Sequence, residues 1–254
     1  MAKELLCIDI GNTSATLATY SQASFHMVGY FSTLDILHST KISALYICLQ
    51  KLTGSIKKIG ISSVVPNATD KIKILLNHFF PNIIIIEINA FNTKLVIADN
   101  YPPQNLGRDR IACALGGLKL FPQKNLIIID LGTATTVCSI SKNKEFLGGA
   151  ILPGFKTTNE SLFEKAPILR KYVEHTSFDE VQSIGTSSQS CIASGLYYGH
   201  LGAIKEIIKQ QQKSTKLENP LIIGTGGYCH VFAKETLFDY RAESLILEGI
   251  KGIL

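Results

Sequence analysis

Two stretches of this chain carry residues of the kind that hold phosphate and metal. They are Asp9-Ile10-Gly11-Asn12-Thr13-Ser14-Ala15-Thr16 and Asp130-Leu131-Gly132-Thr133-Ala134-Thr135-Thr136. Each follows an apolar run, Leu5 to Ile8 in the first case and Leu126 to Ile129 in the second. A glycine turn exposes backbone N–H groups that take phosphate oxygens, and the neighbouring hydroxyls and amide add donors. An aspartate at a strand end can anchor a hard cation or its water, because such ions take oxygen ligands. One copy alone reads equally well as a hairpin turn whose aspartate satisfies turn amides. Two copies, both after buried strands, favour a clamp for nucleotide phosphates. The sequence has no GxxxxGK[ST] loop and no GxGxxG after a strand, so the commoner phosphate binders are missing.

A second place with chemistry in it is Tyr101-Pro102-Pro103-Gln104-Asn105-Leu106-Gly107-Arg108-Asp109-Arg110. Helical sequence follows, with Ile111, Ala114, Leu115 and Leu118 at core spacing. An acid in a first helical turn complements the helix dipole, which accounts for Asp109 but not for its neighbours. The arginines of the chain are Arg108, Arg110, Arg170 and Arg241, so one short segment holds half of them where the dipole disfavours cations. An anionic ligand held by Arg108 or Arg110, with Asp109 beside it as a base, accounts for all three residues. A third candidate, Gly224-Thr225-Gly226-Gly227, would let a flat ligand such as adenine approach the backbone; a helix cap or plain turn explains it equally well. His26, His38, His78, His175, His200 and His230 show no metal-like pairing and read as surface or partly buried histidines.

The composition limits the partners. The chain has 254 residues, 46% of them hydrophobic and 18% charged, enough for two compact domains and unlike a disordered or coiled-coil sequence. Its formal net charge of +5 comes from scattered lysines rather than a basic run, which argues against nucleic acid or a membrane surface as a partner. The cysteines Cys7, Cys48, Cys113, Cys138, Cys191 and Cys229 form no CxxC pair, so buried free thiols in a reducing cytoplasm are expected. Lys3 and Glu4 lead directly into the first strand, which leaves no room for a signal peptide before it. The greasiest run, Ile83 to Ile88, contains Glu87 and is too short to span a bilayer.

The elements that must position these residues follow from periodicity. Glu4 to Ile10, Ser14 to Tyr20 and about Phe25 to Phe31 predict an antiparallel meander. A helix from about Ile42 to Leu52, a strand over Lys58–Ser63, a helix capped by Asn67 and running to Phe80, and a strand over Asn82–Ile88 come next. The second half repeats the plan, with strands over Asn125–Asp130, Thr135–Ile140 and Glu145–Leu152, then helical sequence after Pro153-Gly154. A long helix from Ser188 to about Gln212, a strand over Leu221–Ile223 and a closing helix within Ala242–Ile250 complete it. The pattern is an internally duplicated α/β chain, bridged by Phe91 to Phe121.

Taken together, these residues resemble the type III pantothenate kinases of the actin/sugar-kinase/Hsp70-like ATPase superfamily. The resemblance rests on Asp9-Ile10-Gly11-Asn12-Thr13, Gly107-Arg108-Asp109-Arg110, Asp130-Leu131-Gly132-Thr133-Ala134-Thr135-Thr136, Leu147-Gly148-Gly149-Ala150-Ile151-Leu152-Pro153-Gly154 and Ser194-Gly195, in the family's order. It implies two tandem ribonuclease H-like (actin-like ATPase) domains, each a mixed α/β sheet flanked by helices, divided as residues 1–110 and 111–254. It implies ATP-dependent phosphorylation of pantothenate to 4′-phosphopantothenate, the first step of coenzyme A biosynthesis, by a cytoplasmic homodimer. Asp9 to Thr16 (Asp9, Ile10, Gly11, Asn12, Thr13, Ser14, Ala15 and Thr16) then match the ATP-phosphate motif, with Asp9 near Mg2+ through water, and Thr133 an ATP contact. Asp109 matches the catalytic base, and Tyr101, Gly107, Arg108, Asp109 and Arg110 the pantothenate pocket. Asp130 matches the ligand of a monovalent cation, K+ or NH4+.

The chain departs from the family in two places. Gly185-Thr186-Ser187-Ser188 carries Ser188 where the family usually has a substrate-binding threonine, and Thr186 becomes the contact if the loop shifts. Position 108 is commonly small in the family; an Arg108 turned away from the pocket leaves Arg110 to meet the substrate carboxylate. Two other functions fit the same residues. One is a kinase for another small alcohol, against which Gly107 to Arg110 argues. The other is a non-catalytic nucleotide-binding accessory or regulatory protein of this fold, against which Asp109 beside intact phosphate turns argues.

Overall fold

The computed structural model describes residues 4–38, 43–172, 178 and 180–254. Lys3, the start of the predicted helix at Ile42, and His175 lie outside the described residues. The chain divides into two compact units, Met1–Pro122 with Ser244–Leu254, and Gln123–Glu243.

In the first unit, β1 (Glu4–Ile10), β2 (Ser14–Ser21) and β3 (Ser24–Ser32) form the expected meander, followed by α1 (Thr33–His38) and α2 (Ser43–Lys51). Then come β4 (Ile56–Ser63), α3 (Pro66–Phe79), β5 (Ile85–Glu87), the two-residue β6 (Val96–Ile97) and α4 (Arg108–Leu120). The sheet order is β3-β2-β1-β4-β5, with β4 parallel to β1 and β5 parallel to β4. Alternation along β1 sends Leu6, Ile8 and Ile10 into a core with Leu17, Ile59, Ile61, Ile72 and Leu76. Cys7 and Asp9 therefore face the opposite side of the sheet, together with their β4 register partners Gly60 and Ser62.

Asn67 does not cap α3. The helix begins at Pro66, with Val65 in the cap position and no side-chain cap bond. Proline suits the first helical position because its missing N–H needs no partner there. The polar work falls to neighbours: the Val65 N–H donates to Ser63 Oγ at 3.1 Å, and Thr69 Oγ1 donates to the Val65 carbonyl at 3.0 Å. The predicted strand over Asn82–Ile88 shrinks to β5, and α1 was not foreseen.

The second unit contains β7 (Leu126–Leu131), β8 (Ala134–Ile140), β9 (Glu145–Pro153), α5 (Phe155–Lys165), α6 (Ser188–Thr215), β10 (Leu221–Thr225) and β11 (Tyr240–Arg241). Its strands run in the order β11-β10-β7-β8-β9, with β7, β8 and β9 antiparallel and β10 parallel to β7. Strand for strand this repeats the first unit. The architecture is mixed α/β with two sheets flanked by helices.

The division of the chain differs from a cut after Arg110. All of α4 belongs to the first unit, and α7 (Leu245–Gly252) returns to it instead of closing the second. Glycine explains the return. A Cβ at Gly116 would collide with the Leu245 carbonyl, and one at Gly249 with the Ala112 carbonyl, so α4 and α7 touch backbone to backbone. Glu248 of α7 also pairs with Lys119 at 3.6 Å and Lys251 at 2.6 Å. Gly116→Ala should therefore cost about 1–3 kcal/mol by overpacking. Thermal denaturation checks this against Gly199→Ala, a helical position where an added Cβ meets nothing within 4 Å and stability should hold or rise.

The cysteines are free thiols, but only Cys7, Cys113, Cys138 and Cys229 are buried; Cys48 is half-buried and Cys191 exposed. Burial pushes the Cys7 thiol up to about 12, so it stays protonated and inert. Among the described residues, no helix is long and apolar enough to cross a membrane.

Candidate functional site

The first turn is built by the end of β1 and the start of β2. Asp9 pairs in register with Thr16 on β2 and with Ser62 on β4. The Gly11 N–H donates to the Ser14 carbonyl at 2.9 Å, which closes the turn. Thr33 then ties it down: its Oγ1 donates to the Gly11 carbonyl at 2.8 Å and its N–H to the Thr13 carbonyl at 3.0 Å. With those carbonyls engaged, the exposed side chains of Asn12, Thr13 and Ser14 are what the turn offers outward. Ile10 and Ala15 are fully buried core residues, so they address a ligand through backbone alone.

The second turn, one residue shorter between its register pairs, is built in a like way in its own unit. Asp130 pairs in register with Thr136 on β8 and Thr225 on β10. An added Cβ would lie 3.3 Å from the Ser14 carbonyl at Gly11 and 3.5 Å from the Ala134 carbonyl at Gly132, matching positions with matching clearance. The Thr133 carbonyl accepts from the Gly154 N–H at 3.0 Å and from Thr157 Oγ1 at 2.6 Å, while the Thr133 side chain is exposed. The Leu131 carbonyl accepts from the Tyr228 N–H at 3.0 Å.

Glycines press on this turn from two sides. A Cβ at Gly154 would strike the Gly132 and Thr133 carbonyls, and one at Gly226 would strike the Asp130 carboxylate and the Leu131 backbone. Gly226 is also left-handed, with φ +89, which other residues adopt only under strain. Gly224 and Thr225 lie within β10, so the expected four-residue glycine loop shortens to Gly226-Gly227.

Sequence reasoning missed two supports of this turn. Thr157 sits at no telling spacing. The sequence reads His200 as a surface or partly buried residue, and only 7% of it is exposed. Its Nε2 lies 3.0 Å from Thr135 Oγ1, its ring stacks on Phe232 at 5.9 Å and meets the edge of Phe155 at 5.7 Å. Burial pushes the imidazole below its ordinary value of 6.5. The unfolded chain then takes a proton that the folded one resists, so this contribution to stability is full above about pH 6.5 and lost as pH falls below it. His200→Gln keeps a partner for Thr135 and removes the titration; its Tm should fall less than that of the parent between about pH 7 and pH 5. An equal fall in both proteins would assign the acid sensitivity to other groups.

The third cluster lies at the start of α4. Gly107 is the cap residue, with Asp109 in the first turn and no side-chain cap bond. Asp109 Oδ1 accepts the Arg110 backbone N–H at 2.8 Å, and a Cβ at Gly107 would collide with that same oxygen. The missing side chain of Gly107 is thus what lets the carboxylate lie across the helix start. Arg110 is 9% exposed, and its Nη2 donates to Tyr101 Oη at 2.9 Å, with the guanidinium carbon 5.9 Å from the ring centroid.

Arg108 goes elsewhere. Its Nη1 meets Glu87 Oε2 of β5 at 2.6 Å, and Lys73 of α3 pairs with the other oxygen of the same carboxylate. Tyr101, Gly107, Asp109 and Arg110 are brought together; Arg108 is engaged with β5. In the second unit, Ser188 is the first residue of α6, behind the Ser187 cap, whose Oγ accepts the Ser190 N–H at 3.2 Å. The Thr186 N–H donates to Ser190 Oγ at 2.9 Å, and the side chains of Thr186 and Ser188 are both exposed.

Among the described residues, no group of three or more His, Cys, Asp or Glu side chains converges as a metal cage. The donors that do exist are single carboxylates at strand ends beside exposed hydroxyls. That set fits an ion held mostly by water and phosphate oxygens, the usual habit of Mg2+.

The family model for type III pantothenate kinase matches residues 5–210. The type III pantothenate kinase 1 of Francisella tularensis subsp. holarctica (strain OSU18) is 44% identical over 153 residues, covering 59% of this chain and 58% of that protein. The match therefore spans less than two thirds of that relative's length. The type III pantothenate kinase of Legionella pneumophila (strain Corby) is 34% identical over 258 residues, covering 97% of this chain and 96% of that protein. Among solved structures, a Baf family transcriptional activator from Campylobacter jejuni superposes with a TM-score of 0.61 at 20% identity, over 98% of this chain and 96% of that one. The ethanolamine utilization protein EutJ from Carboxydothermus hydrogenoformans gives 0.54 at 14% identity, over 100% and 91%. At such identities these structures speak for the fold alone.

Proposed function

This chain belongs to the type III pantothenate kinase family, and on that footing we propose that it transfers the γ-phosphoryl group of ATP to the primary hydroxyl of pantothenate. The product is 4′-phosphopantothenate, which opens coenzyme A biosynthesis. The observation that carries the proposal is the start of α4. There Gly107 clears space for the Asp109 carboxylate, next to a buried Arg110 held by Tyr101.

Phosphoryl transfer asks the protein mainly for positioning and charge neutralisation. Asp109 accepts the proton of the attacking hydroxyl, which leaves the oxygen as nucleophile toward the γ-phosphorus. Arg110 meets the pantothenate carboxylate with its planar fork, a charged contact strengthened by its burial. Tyr101 fixes the angle of that fork, and Gly107 keeps bulk out of the way. Ser188, with Thr186 as the neighbouring hydroxyl, adds a polar contact to the acceptor.

The Asp9–Thr16 turn takes ATP phosphates through its N–H groups and the side chains of Asn12, Thr13 and Ser14. Thr133 adds an ATP contact, and Asp130 would hold a monovalent cation, K+ or NH4+. Asp9 would hold Mg2+, and that ion when bound would neutralise charge on the phosphate oxygens. The working form is a cytoplasmic homodimer with no nucleic acid or membrane partner.

A coupled ADP-release assay with a panel of acceptor alcohols, with and without K+, tests this reading. Turnover should require pantothenate and rise with K+. ADP release with another alcohol and none with pantothenate would reassign the substrate; no turnover with any acceptor would favour a non-catalytic regulator.

A further inference from the structure

Each strand-end aspartate lies between two hydroxyl residues. Asp9 sits in register with Thr16 and Ser62, and Asp130 with Thr136 and Thr225. Register partners on neighbouring strands point to the same face, about 5 Å apart at Cβ. In the second unit the outer hydroxyl is occupied, because Thr225 Oγ1 donates to the Ala242 carbonyl at 2.6 Å. In the first unit its counterpart is not. Ser62 is fully buried, and its Oγ has no hydrogen-bond partner.

An orphaned hydroxyl at 0% exposure runs against the economy of a folded core. Leaving such a group unmatched carries its desolvation penalty with no bond in return, and alanine would fill the site without that cost. The neighbours on β4 offer no way out. Ser63 and Thr69 bond each other on the opposite face, toward α3, and Gly60 on the Ser62 face packs on Ile250 and Leu254. The polar residue beside Ser62 on its own face is Asp9, half-buried at the mouth of the strand.

We propose that Ser62 is a positioning residue: its hydroxyl donates to the Asp9 carboxylate once that carboxylate turns to a divalent cation carried by ATP. The bond fixes one carboxylate oxygen and leaves the other toward the ion, as outer partners of metal-binding carboxylates do. The cost of the unmatched hydroxyl is then recovered on cation binding, so the ion is held more tightly than by Asp9 alone. This inference rests on the assignment of Asp9 to the cation of ATP given above.

The test compares the full-length parent, Ser62→Ala, Asp9→Asn and the double variant by calorimetry. The affinity for a non-hydrolysable ATP analogue is measured with and without Mn2+, and Tm is recorded without metal. The gain in affinity from Mn2+ should disappear in Asp9→Asn and shrink roughly ten- to hundredfold in Ser62→Ala, as loss of one hydrogen bond to a charged group predicts. Metal-free nucleotide affinity should hold, Tm of Ser62→Ala should hold or rise, and the double variant should lose no more than Asp9→Asn. An intact Mn2+ gain in Ser62→Ala, with the gain lost in Asp9→Asn, would overturn the role of Ser62 and leave that of Asp9. An intact gain in Asp9→Asn would overturn both. A falling Tm together with weaker metal-free binding in Ser62→Ala would make the residue merely structural.

Discussion

Asp109→Asn should lower kcat by about 10^2–10^4-fold, the usual share of a positioned proton acceptor. The substitution is close to isosteric, and the asparagine oxygen can still accept the Arg110 N–H that Asp109 Oδ1 accepts at 2.8 Å. The start of α4 therefore survives, and with it Tm. ATP affinity should also survive, because the first-turn residues Asn12, Thr13 and Ser14 belong to a different element. What disappears is the carboxylate that takes the hydroxyl proton. Single-turnover rates beside nucleotide-binding titrations check this, and full activity would remove Asp109 from the role of base.

Arg110→Lys should raise the KM for pantothenate roughly ten- to hundredfold, since losing one forked hydrogen bond to a charged group costs about 1.5–3 kcal/mol. Lysine keeps the charge and loses the fork. It cannot bond Tyr101 Oη and a carboxylate together in one plane. The KM for ATP should move little. Arg108→Gln is the informative counterpart, because its ion pair with Glu87 is 2.6 Å long with 40% and 21% of the two side chains exposed. Pairs this open contribute at most about 1 kcal/mol. KM for pantothenate should hardly change there; equal effects at both arginines would contradict the split of roles.

Much of this was legible in the sequence because it is local. Apolar runs ending in Asp-x-Gly placed β1, β2, β7 and β8 within a residue or so of their observed bounds. The repeat of those runs exposed the duplication that the two strand orders display. What stayed hidden depends on contacts between distant residues. The return of α7 to the first unit hangs on Gly116 and Gly249, whose meaning appears only when two backbones touch. The stretch around Gly226 reads equally as a flat-ligand site or a plain turn, and only the fold shows that its missing side chain makes room for Asp130. His200 has no partner nearby in sequence, and Thr135 and Phe232 come to it through the fold. The two arginines of the Gly107–Arg110 segment could be separated only by seeing Glu87 and Tyr101 choose between them.

In the proposed reaction this chain moves a phosphoryl group from ATP to the primary hydroxyl of pantothenate. Phosphorus NMR of the purified chain incubated with ATP, Mg2+, K+ and pantothenate tests it most directly. A phosphomonoester resonance coupled to the methylene protons of the acceptor should grow in step with ADP. Growth of inorganic phosphate in place of that ester, or no change in ATP over many hours, would contradict it.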